Sequence, residues 1–418
     1  MTMPWRPGGA LSHIRVCDFT GQLAGAGATR ILAVYGAQVI RIEDRVNEGH
    51  WDVLRGGAPY IDERRGNELG GQFNNHNVQK LGITLNMRLP QGREVARHLI
   101  SVSDVVSENF SAGVMGRWGL SYEEMRAIKP DIIYVSNSGF GHSGPYSHFK
   151  SFGPVVQAVS GLTFQSGLPG QAPAGWGYSF MDHTGAYTMC VAILMALYHR
   201  NRTGQGQMVD MSCTDAAATH NGPVVLDYTV NGRPSRRPGR PNSNRNEYPP
   251  MAPHGIYRCA GDDQWVAISA RDDSDWLALC RAMGHPEWSR DPRFQSLDSR
   301  LQQQGALDRM MEEWTCSRNP REAMDTLQAA GVPAAQVQRP EDRIDHDENT
   351  RDWGLWPEVV HSEMGPVHVE GVPLKLSKAP ARYSRGAALL GEDNEYVFRE
   401  VVGLGKQEYA AMCTEGVF

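Results

Sequence analysis

His13-Ile14-Arg15-Val16-Cys17-Asp18-Phe19 followed by Gly21-Gln22-Leu23-Ala24-Gly25-Ala26-Gly27 is the stretch whose reading decides the fold. The first seven residues read as a strand. The second seven form a loop of small residues that lets backbones approach closely. Residues 28–35 continue as a helix that Gly36 stops, and residues 38–43 alternate as a second strand. The same order recurs downstream. Pro90 opens a helix whose apolar stripe is Val95, Ala96, Leu99 and Ile100. Residues 104–106 begin a strand. Ser121-Tyr122-Glu123-Glu124 is a capping box for a helix that ends before Pro130, and residues 131–136 are another strand. Repeated βαβ units with short connections imply an α/β fold: a mostly parallel sheet with helices on both faces.

The chain has 418 residues, which at about 150 per domain predicts two or three domains. Lys and Arg number 41 against 47 Asp and Glu; the net charge of −6 speaks against a nucleic-acid partner. Seven scattered Cys without a CxxC pair fit free thiols in a reducing cytosol, so a cytoplasmic location is expected. The apolar run of residues 186–198, interrupted by Tyr187 and Thr188, is shorter than the roughly 20 residues of a membrane span, and no membrane partner is expected. The opening MTMPWRPGG lacks the apolar core of a secretion signal.

Residues 167–177 are rich in Gly, Pro and Ala and read as a loop. Asp182-His183-Thr184-Gly185 then opens a helix to about Arg200, almost wholly apolar from Met189 to Leu197, closed by His199, Arg200 and Arg202 and terminated by Gly204. Residues 207–212 return as a strand. Residues 231–254 carry six Pro and five Arg without apolar periodicity and read as a linker, or as a basic run that meets a phosphate. Residues 255–260 and 264–269 flank Gly261-Asp262-Asp263 as a hairpin, followed by helices at 273–283, 307–315 and 320–330. Residues 359–369 around Gly365-Pro366 read as a further hairpin, and 394–402 and 406–413 as surface helices.

No GxSxG elbow, no Walker A sequence and no HExxH is present, and the 14 His form no ligand cluster, so no metal is expected. Gly139-Phe140-Gly141-His142-Ser143-Gly144 fits GxGxxG after a strand. Pro145 follows it and no acidic residue closes a strand about 20 residues on, so a glycine turn beside another ligand is favoured over a dinucleotide loop. What remains is Asp182, behind a glycine-rich loop at a helix start. It reads either as an N-cap or as a carboxylate kept ionised by the helix end and able to act as a nucleophile.

Taken in order, several motifs resemble the class III CoA-transferases over nearly the whole chain: VCDFTGQLAG, GAQVIRIE, ENFSAGVMGRWGLSYEEM, SGFGHSGP, QAVSGL, MDHTGAYTMCVAILMALYHRNRTGQGQMVDMS, APHGIYRCAGDDQWVAI, GVPAAQV and LGEDNEYVFREVVGLG. The resemblance implies a Rossmann-like large domain built from both chain ends and a small α+β domain from the middle, in an interlocked ring homodimer. The expected layout is 1–230 large domain, 231–254 linker, 255–335 small domain, 336–355 linker and 356–418 the return.

It also implies roles. Asp182 falls on the family's catalytic aspartate, which attacks an acyl-CoA to give a mixed anhydride and then an aspartyl-CoA thioester. CoA enters as a substrate, with no tightly bound cofactor. Arg117 falls on the arginine for the adenosine-phosphate end, with Trp118 beside it for adenine. Arg88 and Lys150 lie where relatives use a lysine, and Leu85, Asn109 and Phe110 match pocket-lining positions. The plain alternatives are a solvated Arg88, a core Phe110 and a surface Lys150. Backbone N–H groups near Gly139–Gly144, or near Gly255 of a second subunit, are candidate oxyanion donors.

Departures bear on the substrate. Ala24-Gly25-Ala26 stands for AGP, Val78 for an arginine, Leu23 for a glutamine of oxalate-using relatives, and Asn244-Arg245-Asn246 for a glycine run. These speak against oxalate or formate. Trp176, Tyr178 and Phe180 suggest a larger, partly apolar acyl group, or simply packing. Two other functions are weighed. A racemase or epimerase of the same fold would need a His-Asp pair where this chain has Phe152 and Gly153. A subunit that works only with a second, related chain is the other.

Overall fold

The structure is a computed structural model; it describes Trp5 and residues 8–167, 170–177, 179–237 and 245–418. The chain forms two compact units, one of residues 1–163, 175–222 and 349–418 and one of residues 164–174 and 223–348.

Six parallel strands organise the first unit: β1 (Arg15–Asp18), β2 (Gln38–Asp44), β3 (Leu81–Leu85), β4 (Val105–Glu108), β5 (Ile133–Ser138) and β6 (Met208–Ser212). Their spatial order is β3-β2-β1-β4-β5-β6, the doubly wound order whose direction of winding reverses between β1 and β4. Strand periodicity sends alternate side chains to opposite faces. Val16, Val39, Ile133 and Val135 join one core with α1 (Ala26–Val34); Cys17, Ile40, Ile42 and Tyr134 join the other with α3 (Pro90–Ser101). Between α1 and α3 lies α2 (Gly71–Asn77); after α3 come α4 (Val114–Arg117) and α5 (Tyr122–Ile128), the latter opened by the Ser121–Glu124 capping box. Then follow α6 (Gly153–Val159), the single turn α7 (Leu162–Gln165), α8 (Phe180–Thr203) and α9 (Cys213–Ala218).

Three readings are corrected here. First, α8 has 24 residues and, among the described residues, is the one helix long and apolar enough to cross a membrane by length and composition. The sequence run looked too short because polar residues break it near the N-terminus. Met181, Met189, Ile193 and Leu197 turn into the core beside α1, where Gly27 admits Ala186 closely. Second, residues 394–401 are not a surface helix. Val397 and Phe398 are fully buried, and Phe398 stacks on Phe418. The segment covers the free edge of β3: Asp393 accepts the Gly82 N–H (2.8 Å) and Asn394 the Thr84 N–H (2.9 Å). Third, the C-terminal hairpin β10 (Glu358–His361) and β11 (Gly365–His368) turns before Gly365, which begins the returning strand. Strand β3 itself went unread, since Gly82 interrupts its short apolar run; Ala388 packs where a side chain would stand.

The second unit is an antiparallel sheet, β7 (His254–Arg258), β8 (Trp265–Ser269) and β9 (Ala334–Gln336), packed by helices at Asp273–Ala282, Gln304–Thr315 and Pro320–Ala329. Fully buried Arg300 crosses its core to donate to the Ala252 and Phe294 carbonyls and to pair with Asp273 at 2.7 Å.

Beneath the β1–α1 loop lies a buried polar hub. Asp18 accepts from Thr20 (N 3.0 Å, Oγ1 2.6 Å), Thr29 (2.8 Å) and Ser107 (3.0 Å), and Lys80 Nζ stands 3.4 Å away. Removing one partner of a buried charged cluster leaves the rest unpaired, at a cost of about 3–5 kcal/mol. Asp18→Ala should therefore destabilise the protein by that amount in urea unfolding, whereas a loss below about 1 kcal/mol would mean the hub is not holding the loop.

Candidate functional site

In a doubly wound sheet the winding reversal opens a crevice at the carboxyl ends of the strands. Here it is a cavity of about 280 Å³ fed by every strand near the reversal: Phe19 after β1, Glu43 and Asp44 of β2, Leu85, Met87 and Arg88 at the end of β3, and Phe110, Val114 and Trp118 after β4. Trp51 completes it. Its wall is aromatic: Trp118 meets Phe110 edge-on at 5.6 Å and Trp51 tilts against Phe110 at 5.0 Å. Such rings offer a planar heterocycle a stacking surface. Glu108 fixes the rim, its carboxylate accepting the Phe110 N–H (2.7 Å) and the Tyr134 hydroxyl (2.9 Å). Asn109 clamps the two loops across the reversal, accepting from Gly21 N–H (2.8 Å) and donating to Gly21 O (3.0 Å).

The β1–α1 loop also reaches the start of α8, the helix that carries Asp182. Asn137 at the end of β5 donates to Ala24 O (3.2 Å), and Gly185 of α8 sits where a methyl group would be 2.8 Å from Cys213 Sγ and 3.9 Å from Ala24 Cβ. Ser179 is the N-cap of α8 and Asp182 occupies the third helical position, so the cap reading of Asp182 is wrong. Burial pushes its carboxyl above the ordinary aspartate range, while the Ser179 hydroxyl, hydrogen-bonded to it, and His183 pull the other way. A more basic carboxylate is a better nucleophile. Gly153, the first residue of α6, packs closely against it: a methyl group there would stand 2.5 Å from Asp182 Oδ2 and 3.0 Å from its Cγ.

The residues singled out from sequence divide. Leu85, Arg88, Phe110 and Trp118 line the crevice. Asn109 is its clamp rather than its wall. Arg117 is exposed at the end of α4, one residue from Trp118. Lys150 is exposed on the loop that leads into Gly153 and Asp182, not in the crevice. Tyr178 and Asn244 lie outside the described residues. The Gly139–Gly144 loop opens no helix directly; the His142 N–H is given to the Asp210 carboxylate at 3.0 Å. Phe19, Trp51 and Gly153 carry no motif in the sequence that marks them, since only the fold brings them to the site. Among the described residues no group of three or more His, Cys, Asp or Glu is arranged to hold a metal.

The fold and crevice define a doubly wound α/β protein with a heterocycle-sized slot at its winding reversal. The chain belongs to CoA-transferase family III, whose profile matches residues 11–394, and is accordingly an enzyme of the CoA-transferase type. It is 30% identical, over 99% of both chains, to a succinyl-CoA–D-citramalate CoA-transferase of Chloroflexus aurantiacus. It is also 30% identical to a formyl-CoA:oxalate CoA-transferase of Streptomyces coelicolor, over 98% of this chain and 99% of that one. A solved CAIB/BAIF family protein from Brucella suis superposes with a TM-score of 0.83 at 28% identity, over 94% of this chain and all of that one.

The Gly153 contact makes a sharp test. A methyl group at this position meets only the end of a side chain, so the fold tolerates it while the carboxylate is displaced. Gly153→Ala should lower kcat for CoA transfer by about a hundredfold and leave the unfolding midpoint within a degree or two; unchanged kcat would show that Asp182 is not held there for chemistry.

Proposed function

We propose that this enzyme moves CoA from an acyl-CoA donor to a free carboxylic acid through covalent intermediates on Asp182. The observation that carries the reading is a half-buried carboxylate at the start of α8, pressed on a glycine and joined by the β1–α1 loop to an aromatic crevice suited to adenine. Asp182 attacks the thioester carbonyl; the C–S bond breaks, CoA leaves as thiolate and a mixed anhydride remains. The thiolate then attacks the Asp182 carbonyl, releasing the donor acid as carboxylate and leaving an aspartyl-CoA thioester. The acceptor carboxylate attacks that carbonyl and expels the thiolate. Thiolate attack on the acceptor acyl carbon gives the new acyl-CoA and restores Asp182. Holding the partners in place and excluding water favour transfer over hydrolysis.

Trp118, Phe110 and Leu85 would bed the adenine end, with Arg88 and Arg117 meeting phosphates at the open side. Succinyl-CoA is the first donor to try, given a relative named for it. A racemase reading has less support: Gly153, the residue against Asp182, carries no group that accepts a proton. The exposed apolar stripe Tyr187, Val191, Leu194, Met195 and Tyr198 along α8 supports assembly with a second copy, in the interlocked manner the family resemblance implies. The expected setting is the cytoplasm.

Asp182→Ala should reduce transfer by about three orders of magnitude or more. Hydroxylamine treatment of wild type trapped with donor should mark the peptide containing Asp182; an unmarked peptide would sink the covalent route. The pH dependence follows from the carboxyl's environment. Transfer requires the ionised form, so kcat/KM falls as pH drops through the Asp182 pKa, and this acidic limb should lie above that of an ordinary aspartate. Ser179→Ala removes a hydrogen bond that favours the charged form, so the limb should move to higher pH.

A further inference from the structure

We propose that the cavity flanking His183 seats the remote, polar end of the free acid, with the buried imidazole of His76 as the group that anchors it; this rests on the transfer reading above. The cavity is distinct from the aromatic crevice. Its volume is about 500 Å³, within the span of small-molecule sites, and its wall includes Tyr60, Gln72, Asn75, His76, His183 and Glu370. His183 follows Asp182 on α8, and successive helix residues point about 100° apart. The cavity therefore lies on the next face of the helix round from the nucleophile. An acid bonded through one carboxyl at Asp182 has this space for its other end.

The decisive observation is His76. It lies on α2, is 3% exposed, and its Nδ1 is buried without a hydrogen-bond partner. Its ring stands 5.7 Å from that of His183. Buried polar nitrogens are seldom left unpaired without a reason, and a ligand group is one such reason. Burial, reinforced by Arg30 and Lys80 nearby, holds its pKa well below the usual range, so the ring is neutral. The cavity's one carboxylate is already balanced: Glu370 pairs with Arg30 at 3.6 Å and accepts from Asn75 Nδ2 at 3.3 Å. The rest of the wall is mixed: amide, phenol and imidazole groups beside Pro59, Ile61, Met364 and Val367. The unpaired His76 nitrogen favours an acid whose far end carries a hydroxyl or a second carboxyl over one with a plain alkyl tail, which would leave that nitrogen unpaired. It also sets aside the apolar acyl group suggested by Trp176 and Phe180, both exposed.

The test is direct binding of malate and of hexanoate to the full chain with saturating CoA, by calorimetry. Wild type should bind malate at least tenfold more tightly than hexanoate. His76→Leu should weaken malate at least tenfold. His76→Asn keeps an amide close to the Nδ1 position and should restore most of that loss, which a merely structural role would not. Ile61→Trp, on the half-buried rim, should block malate without touching the core and covers the case in which His76→Leu does not fold. The proposal is overturned if wild type binds neither acid, if it binds both alike, or if the folded His76→Leu or Ile61→Trp chain binds malate as wild type does. Failure of the transfer reading would show separately, as a missing acyl label on Asp182 of the wild-type chain.

Discussion

The Asp18 carboxylate, sealed beneath the β1–α1 loop, is the constraint on which the rest of the site depends. It accepts hydrogen bonds from three hydroxyls and one backbone amide and faces a fully buried lysine. Burial pushes the Lys80 ammonium down to about 7, with Asp18 pulling it back up. Lys80 also donates to Ala26 O and Asn77 Oδ1, and Arg41 extends the network to Thr20 O and Asp52. Nearly every bond ends on the loop or beside it. A buried ionic hub is an expensive way to gain stability, but it fixes a unique geometry. That loop borders the aromatic crevice through Phe19 and Gly21, and the first turns of α8 through Ala24. Its rigidity sets the position of the crevice relative to Asp182.

Glycine works within this frame by absence. Gly21 leaves room for the Trp51 ring, Gly185 for Cys213 Sγ and Gly153 for the Asp182 carboxylate. Each allows a contact that a single methyl group would forbid. The Gly153 contact also shapes reactivity. Burial of the Asp182 carboxyl raises its basicity. The position and the basicity of the carboxylate thus both follow from how tightly it is packed.

Much of the doubly wound architecture was legible because strand and helix periods are local properties: residues 13–43 alone display strand, glycine loop, helix and strand. Strand β3 was not legible, since its apolar run is short and holds a glycine whose purpose, contact with Ala388, lies about 300 residues away. Burial of Val397 and Phe398 was hidden for a similar reason: their partners on β3 and at the C-terminus are remote in sequence. At the site, Asp182 could be picked out by its setting between a glycine-rich loop and an apolar helix, yet its place in the third helical position, behind Ser179, could not. The crevice residues after β1 and β2 carry no motif of their own. They become neighbours only because parallel strands bring their carboxyl ends to one edge.

The two cavities divide the recognition problem by chemistry. The crevice at the winding reversal is aromatic and, in the proposed reading, would take the large planar group common to all acyl-CoA substrates. The cavity beside His183, of mixed lining with an unpaired imidazole nitrogen, would receive the part that differs between acids. In the proposed mechanism Asp182 carries an acyl group, which hydrolyses if water reaches it. Phe152, Trp176 and Phe180, close to Asp182 in sequence or packing, are exposed in the single chain, as is the apolar stripe of α8. An anhydride cannot persist beside open aromatic surface that water wets freely. The chemistry proposed here therefore requires those surfaces to be covered during turnover, and a second copy laid on the α8 stripe meets that requirement while burying apolar area that would otherwise face solvent.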